Sequence, residues 1–305
     1  MTDRIGFIGV GFMGHGMAKN LLEKGHPVTV MGHRNRAPVE DLVKRGAKEA
    51  KSAAEIAKNS DIVFLCVTGT PEVEALVRRA DGLKAGAQKG MIIVDCSTSD
   101  PTSTVALAAE LKASGISFCD APLGGTPQQA EEGKLSALVG CDADVWPRLE
   151  PVITKWAAKA VRIGAPGDGH KMKLLMNFCA MGYAAIYSEM LAVAAKVGLS
   201  AKLVDSGLRG SRMDCGFYQT FFSYVLDGNR EAHKFTLRNA HKDMKYLASM
   251  AQNAGAANPV GGAVKNYFAM AEAAGLAEDF VPMLSDFVAA LNGVATKESS
   301  KQAAE

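Results

Sequence analysis

The sequence predicts an α/β protein: a doubly wound parallel sheet, then an all-α C-terminal domain entered through a long interdomain helix. Three observations predict it. Short apolar runs such as "IVFLCV" alternate with helical segments up to about residue 165. Those runs lack period-2 alternation, as strands covered on both faces do. Beyond residue 165 strand signals stop, and the chain turns to helical patterns rich in Ala, Leu, Met and Lys.

The elements follow in order. "RIGFIG" at 4–9 is a short strand, and "MAKNLLEKG" after the glycines is helical. "PVTVM" at 27–31 is a second strand, "SAAEIAKNS" at 52–60 a helix, and "DIVFLCV" at 61–67 an apolar strand. "PEVEALV" is helical, "GMIIVDCS" at 90–97 is a strand, and "TSTVALAAELKASG" is a helix. "ISFCDAP" and "LSALVG" add two more strands. The breaker cluster "GAPGDG" at 164–169 marks a boundary, giving domains 1–165 and 166–305. Residues 170 to 197 read as one helix, roughly 40 Å long at ~1.5 Å per residue. It is apolar on most sides, so it should be buried between the domains or against another subunit, favouring a homodimer or homotetramer. The tail "ATKESSKQAAE" reads as frayed.

Composition bounds the function. A length of 305 residues suggests about two domains, and 48% apolar with 22% charged residues is ordinary for a globular chain. A net charge of +2 gives no basic field, which argues against nucleic acid and anionic membrane as partners. Six scattered cysteines without a C-x-x-C pair read as small core residues in a reducing compartment. The N-terminal apolar run is interrupted too early for a signal peptide. The stretch 174–197 holds Asn177, Ser188, Glu189 and Lys196, which suits a buried helix better than a bilayer span. A cytoplasmic location is the expectation. No clustered carboxylates or H-E-x-x-H suggest a metal, and no G-x-S-x-G suggests a serine nucleophile.

"GVGFMG" at 9–14 is G-x-G-x-x-G between a strand and a helix, the context of a Rossmann-type dinucleotide loop. Gly9 permits the tight turn, Gly11 lets the backbone approach a pyrophosphate, and Gly14 allows close helix–strand packing. Phe12 and Met13 complete the cofactor loop. An NAD site usually places an acid at the end of the second strand. Here "VTVMGHRNR" has Gly32 at that place, with His33, Arg34 and Arg36 following. A 2′-phosphate should meet cations and no repelling carboxylate, which favours NADP while leaving NAD possible. Asp41 is too distant to be the missing acid, and a solvated basic loop is the bland alternative.

"GDGHKMKLLMNF" at 167–178 puts Lys173 and Asn177 four apart, on one helix face. A lysine near the start of an apolar helix is costly unless it snorkels, pairs or works. Desolvation would lower its pKa and suit it to proton transfer.

Four motifs in order resemble the β-hydroxyacid dehydrogenase family, which includes 3-hydroxyisobutyrate, tartronate semialdehyde and sulfolactaldehyde reductases. They are "GFIGVGFMGHGMAKNL", "DAPLGGTPQQAEEGKL", "GDGHKMKLLMN" and "FTLRNAHKDMKYLASMA". The resemblance spans roughly residues 4–290. It implies an oxidoreductase acting on a short 3-hydroxy acid or semialdehyde, with Lys173 as acid/base and Asn177 orienting substrate and lysine. It implies that Gly124, Gly125 and Thr126 hold the substrate's acidic group. Thr98, in "CSTS", and Lys242 would lie at the nicotinamide end, and Val67 and Thr68 would line the dinucleotide cleft.

Two departures bear on recognition. The family usually reads D-A-P-V-S-G-G, where this chain has Gly124 for the serine and Thr126 for the last glycine. Met176 replaces the first asparagine of K-x-x-N-N. Loss of the serine should open space for a head group bulkier than a carboxylate, with Thr126 supplying a hydroxyl. Sulfolactaldehyde reductases resemble the chain in that glycine, which keeps a sulfonate substrate with NAD as an alternative. Their cofactor strand typically ends in Asp, and this one does not. Arg209 and Arg212 read as reaching a second anionic group or as solvated. His170 and His241 each neighbour a site lysine, and Lys242 with Lys245 also reads as a charged helix face. A dinucleotide sensor without turnover, and an imine reductase, are the less favoured classes.

Overall fold

The computed structural model describes residues 2–295. The tail reading at 296–305 lies outside the described residues. The chain forms two compact units that divide between Lys173 and Leu174.

The N-terminal unit runs β1 (Ile5–Ile8), α1 (Gly14–Glu23), β2 (Val28–Met31), α2 (Ala37–Lys44), β3 (Lys48–Ala50), α3 (Ala53–Lys58), β4 (Ile62–Leu65), α4 (Thr70–Arg78), α5 (Leu83–Gly86) and β5 (Ile92–Asp95). It continues with α6 (Pro101–Lys112), β6 (Ser117–Asp120), β7 (Leu123–Gly124), α7 (Pro127–Glu131), β8 (Leu135–Gly140), α8 (Trp146–Ile153) and β9 (Ala157–Gly164). The sheet order is β3-β2-β1-β4-β5-β6-β8-β7, with β9 beside β8. The first six strands are parallel. Strand order reverses between β1 and β4, and open α/β sheets bind ligands at the carboxyl ends beside such a switch point.

Apolar residues on consecutive strand positions serve opposite faces. Phe7 and Phe64 pack with Met17, Leu21 and Trp156. Ile8, Val63 and Leu65 pack on the other face with Ile56, Leu107 and Phe118. Both faces are dry, which is why these runs show no alternation. The far edge departs from the parallel pattern: β8 ("LSALVG") runs antiparallel to β6 and β7 and parallel to β9. The short edge strand β3, the helices α2, α5, α7 and α8, and the strands β7 and β9 lie outside the elements expected from the sequence.

The C-terminal unit is helical. Its elements are α9 (Asp168–Lys196), which begins in the N-terminal unit, then α10 (Ala201–Leu208), α11 (Gly216–Asp227), α12 (Leu237–Asn253), α13 (Pro259–Ala271) and α14 (Leu284–Leu291). Tyr187, Tyr218, Phe221, Phe222 and Phe268 form its core with Leu284. Within the chain the long helix is buried on one face. Met181, Ala184, Leu191 and Ala192 are buried, whereas Ile186 and Val193 are 58% and 61% exposed. One chain supplies partners for one stripe of a helix that is apolar around most of its circumference. Its length and composition would also allow a membrane crossing, but half of its most apolar stretch is buried within the protein.

Candidate active site

The glycine loop turns sharply off β1. Gly9 has φ +95°, and a side chain there would strike the Cys66 carbonyl on the neighbouring strand. Gly14 lies against the Gly9 carbonyl and the Phe7 ring, so α1 sits close on β1. Gly11 differs: nothing stands within 4 Å of the place a Cβ would occupy. The first turn of α1 has no acidic residue and no side-chain cap. Open backbone at a helix N-terminus suits a pyrophosphate, and these residues fit a dinucleotide. Phe12 is 81% exposed, while Met13 packs on the core.

At the end of β2, His33, Arg34 and Arg36 stand exposed. The expectation of no carboxylate nearby is corrected. Parallel pairing sets Glu49 of β3 against Val30. Its carboxylate accepts from Arg36 Nη1 at 2.7 Å and Nη2 at 2.9 Å. The pair draws the Glu49 carboxyl below its usual range and raises Arg36, chiefly through that hydrogen bonding. Asp41 is committed elsewhere, accepting from Arg45 at 2.6 Å and meeting His15 Nε2 at 2.9 Å.

The carboxyl ends of β4 and β5 build the next wall. Val67 N donates to Ser97 Oγ at 2.9 Å, and Val67 Cγ1 lies 3.0 Å from the Cβ position of Gly9. Thr98 follows, half-buried, while Thr68 is exposed. Beneath Thr98 lies a closed polar cluster. Asp95 accepts from Ser97 N at 2.8 Å and from Ser99 Oγ at 2.7 Å. His170, fully buried, donates through Nε2 to the Ser97 carbonyl at 3.1 Å and meets Thr104 Oγ1 through Nδ1 at 2.8 Å. The ring stands 3.8 Å from both the Asp95 and Asp120 carboxylates. Asp120 accepts from the Gly167 and His170 backbone amides, each at 2.6 Å. Burial pushes its carboxyl up, against the pull of His170 and those amides. The strand leading into "DAPLGG" and the helix carrying Lys173 are therefore tied at one carboxylate. Lys173 itself is half-buried in the first turns of α9.

The loop after β6 pairs Gly124 with Ser136 of β8, turns at Gly125 with φ +128°, and enters α7. Two expectations change here. The side-chain space beside Gly124 is filled, because Ser136 Oγ lies 2.5 Å from its Cβ position and donates to the Gly124 carbonyl at 3.3 Å. Thr126 is engaged as a helix cap: its hydroxyl accepts from Gln129 N at 3.3 Å, and Gln129 Oε1 accepts from Thr126 N at 2.9 Å. The cofactor helix α1 grips the far end of α7. Asn20 Nδ2 donates to the carbonyls of Gly16, Ala130 and Glu131, at 2.8, 3.1 and 3.2 Å. Lys19 Nζ reaches the Glu131 carbonyl at 2.8 Å, and His15 Nδ1 meets the Glu131 carboxylate at 2.6 Å.

In the C-terminal unit Asn177 Nδ2 donates to Asp243 Oδ2 at 2.6 Å. Lys242 Nζ lies 3.1 Å from Asp243 Oδ1 and 5.3 Å from the Tyr246 ring centre. Asp243 is fully buried, and despite that ion pair Oδ1 accepts no geometrically sound hydrogen bond. Sequence reasoning missed Asp243. The signal was present: Leu237, Ala240, Asp243, Met244 and Leu247 share the buried face of α12, and an acid on an apolar stripe is costly without a task. His241 pairs with Glu272 at 2.6 Å. Arg209 is spent on Asp205, and Arg212 is exposed. Among the described residues no three His, Cys, Asp or Glu side chains are grouped to hold a metal.

The chain matches known proteins over both units. A family model described as the NAD binding domain of 6-phosphogluconate dehydrogenase covers residues 4–164. One described as the NAD-binding part of NADP-dependent 3-hydroxyisobutyrate dehydrogenase covers 167–286. The chain is 34% identical to 2-hydroxy-3-oxopropionate reductase of Escherichia coli K12 over 210 residues, 68% of this chain and 70% of that protein. It is 30% identical to 3-hydroxyisobutyrate dehydrogenase of Pseudomonas aeruginosa, covering 88% and 92%, and 29% identical to 3-sulfolactaldehyde reductase of E. coli K12, covering 89% and 91%. The fold is that of 3-hydroxyisobutyrate dehydrogenase from Mycobacterium tuberculosis, solved with L-serine, at TM-score 0.84 and 24% identity over 94% of this chain and 99% of that one. The chain belongs to the β-hydroxyacid dehydrogenase family and is an NAD(P)-dependent oxidoreductase.

Proposed function

We propose that the chain is an NADP-preferring dehydrogenase or reductase of short 3-hydroxy acids and their semialdehydes, with Lys173 as acid/base. One observation carries this reading: Lys173 and Asn177 lie one turn apart on α9, and Asn177 is pinned by the buried Asp243. When bound, the nicotinamide supplies the hydride. Lys173 gives a proton to the carbonyl oxygen as negative charge develops there, or takes one from the hydroxyl in the reverse direction. With Nδ2 committed to Asp243, Asn177 keeps its carbonyl oxygen and one N–H to orient substrate and lysine.

Gly9, Gly11, Phe12, Met13 and Gly14 serve the pyrophosphate. Val67, Thr68, Thr98 and Lys242 serve the cleft and its nicotinamide end. His33, Arg34 and Arg36 serve the adenosine end. Gly124 and Gly125 hold the substrate's acid group through backbone amides, and Thr126, whose amide and hydroxyl are engaged with Gln129, fixes the turn beside them. A sulfonate-bearing aldehyde with NAD is the second reading, favoured by Gly124 and by the likeness to 3-sulfolactaldehyde reductase. We also propose a cytoplasmic homodimer or homotetramer with a small-molecule acid as its ligand. The exposed Ile186 and Val193 on α9 support the assembly.

Lys173→Ala tests the assignment. The expected outcome is a fall in kcat of about a thousandfold, ~4 kcal/mol of barrier, with the Kd for NADPH within about threefold of the parent. Turnover within about tenfold of the parent contradicts it.

A further inference from the structure

β3 is a polar edge strand of three residues, yet its middle residue reaches the cofactor end of the sheet. Pairing aligns Thr29, Val30 and Met31 with Lys48, Glu49 and Ala50, so Glu49 stands beside Val30, one residue before the end of β2. There it holds the Arg36 guanidinium by two parallel hydrogen bonds, at 2.7 and 2.9 Å. Such fork-on-fork pairing fixes the plane of both groups.

The guanidinium lies over Gly32. Arg36 Nη1 fills the place where any side chain at that position would begin, and Glu49 Oε1 is 2.9 Å from the same place. In doubly wound sheets an acid near the end of the second strand holds the ribose 2′-hydroxyl. Here glycine, Gly32, follows the last residue of β2, and a carboxylate arrives at the same spot from the adjacent strand, bringing its own cation. Arg36 is thereby neutralised, and His33 and Arg34 remain as exposed basic groups of the loop.

We propose that Glu49 is a specificity-determining residue at the 2′ position of the adenosine ribose. Its carboxylate, oriented by Arg36, accepts from a 2′-hydroxyl and opposes a 2′-phosphate. Discrimination between NADP and NAD is then the balance of Glu49 against His33 and Arg34. This rests on the reading of residues 32–36 as the adenosine end of the cofactor site.

The test measures binding of cofactor fragments to the full chain by calorimetry, without turnover. The probes are adenosine 2′,5′-diphosphate and adenosine 5′-monophosphate, which differ by the 2′-phosphate alone. Glu49→Gln removes the charge and keeps the shape, and Glu49→Ala removes both. The expected result in both variants is about a tenfold rise in preference for the 2′-phosphorylated probe, ~1.4 kcal/mol. A rise of threefold or more supports the proposal. A smaller rise, no change or a fall overturns it. Preference of the parent protein for the 5′-monophosphate overturns the NADP reading instead, and the change on substitution still decides the role of Glu49.

Discussion

The two units treat buried carboxylates in opposite ways. In the N-terminal unit Asp95 and Asp120 are closed off: each oxygen accepts from a backbone amide or a serine, and His170 stands between them. In the C-terminal unit Asp243 is just as buried, but one oxygen holds Asn177 and the other takes no sound hydrogen bond. A satisfied cluster has no capacity left except to hold shape. A carboxylate whose Oδ1 meets Lys242 without a sound hydrogen bond keeps an acceptor position open. The closed cluster is scaffold for the strand ends and for the start of α9, whereas the open one holds Asn177, the residue proposed above to orient substrate.

The contrast breaks most visibly at His170. His170→Ala leaves the Ser97 carbonyl and Thr104 without the ring and takes it from between two carboxylates. A loss of about 3 kcal/mol in stability is expected, read as a lower denaturant midpoint for the N-terminal unit. A loss under ~1 kcal/mol would show that the cluster is not scaffold. Asp243→Asn should do the reverse. Stability is expected to stay within about 1 kcal/mol, because the group removed was incompletely paired, while kcat falls about thirtyfold, ~2 kcal/mol. Unchanged kcat with a lowered melting temperature would place Asp243 with the scaffold. Asn20→Ala, which frees α7 from α1, should cost about 1 kcal/mol and speed amide exchange through Gln129–Gly133.

The smallest effect is read in pH, within the N-terminal unit, and sets a surface carboxylate paired with arginine against a buried one. Asp61 is held below its usual range by hydrogen bonding to Arg4. Its contribution is present above the unfolded pKa and lost as pH falls through the folded value. Asp120 is pushed up by burial, so its contribution is fully present below the unfolded pKa and lost as pH rises through the folded value. Asp61→Asn should therefore flatten the acid side of a stability profile by about 0.5 kcal/mol, discounted for exposure. A change on the alkaline side would contradict that sign.

Much of the fold was legible because its signals are local. "GVGFMG" announced its turn through glycines that the structure uses for a positive φ, an open approach and a close packing contact. "IVFLCV" announced a strand dry on both faces, and the long helix announced itself by composition. The features missed are those made by pairing. "KEA" is too short and polar to read as a strand, so nothing in the sequence placed Glu49 against Arg36. Ser136 meets Gly124 only because β8 turns back antiparallel to β7. Asp120 looked like the first letter of a loop motif and is the anchor of a helix fifty residues on. Asp243 was readable from the helical period of α12, where an acid interrupts an apolar face.

The most direct test of the account follows nicotinamide oxidation with NADPH and NADH across three- and four-carbon semialdehydes that bear carboxylate, phosphonate or sulfonate groups. Turnover of at least one semialdehyde, faster with NADPH and abolished by Lys173→Ala, is the expected result. Tight binding of NADPH without turnover of any of them would contradict the account and leave the chain a dinucleotide-binding module.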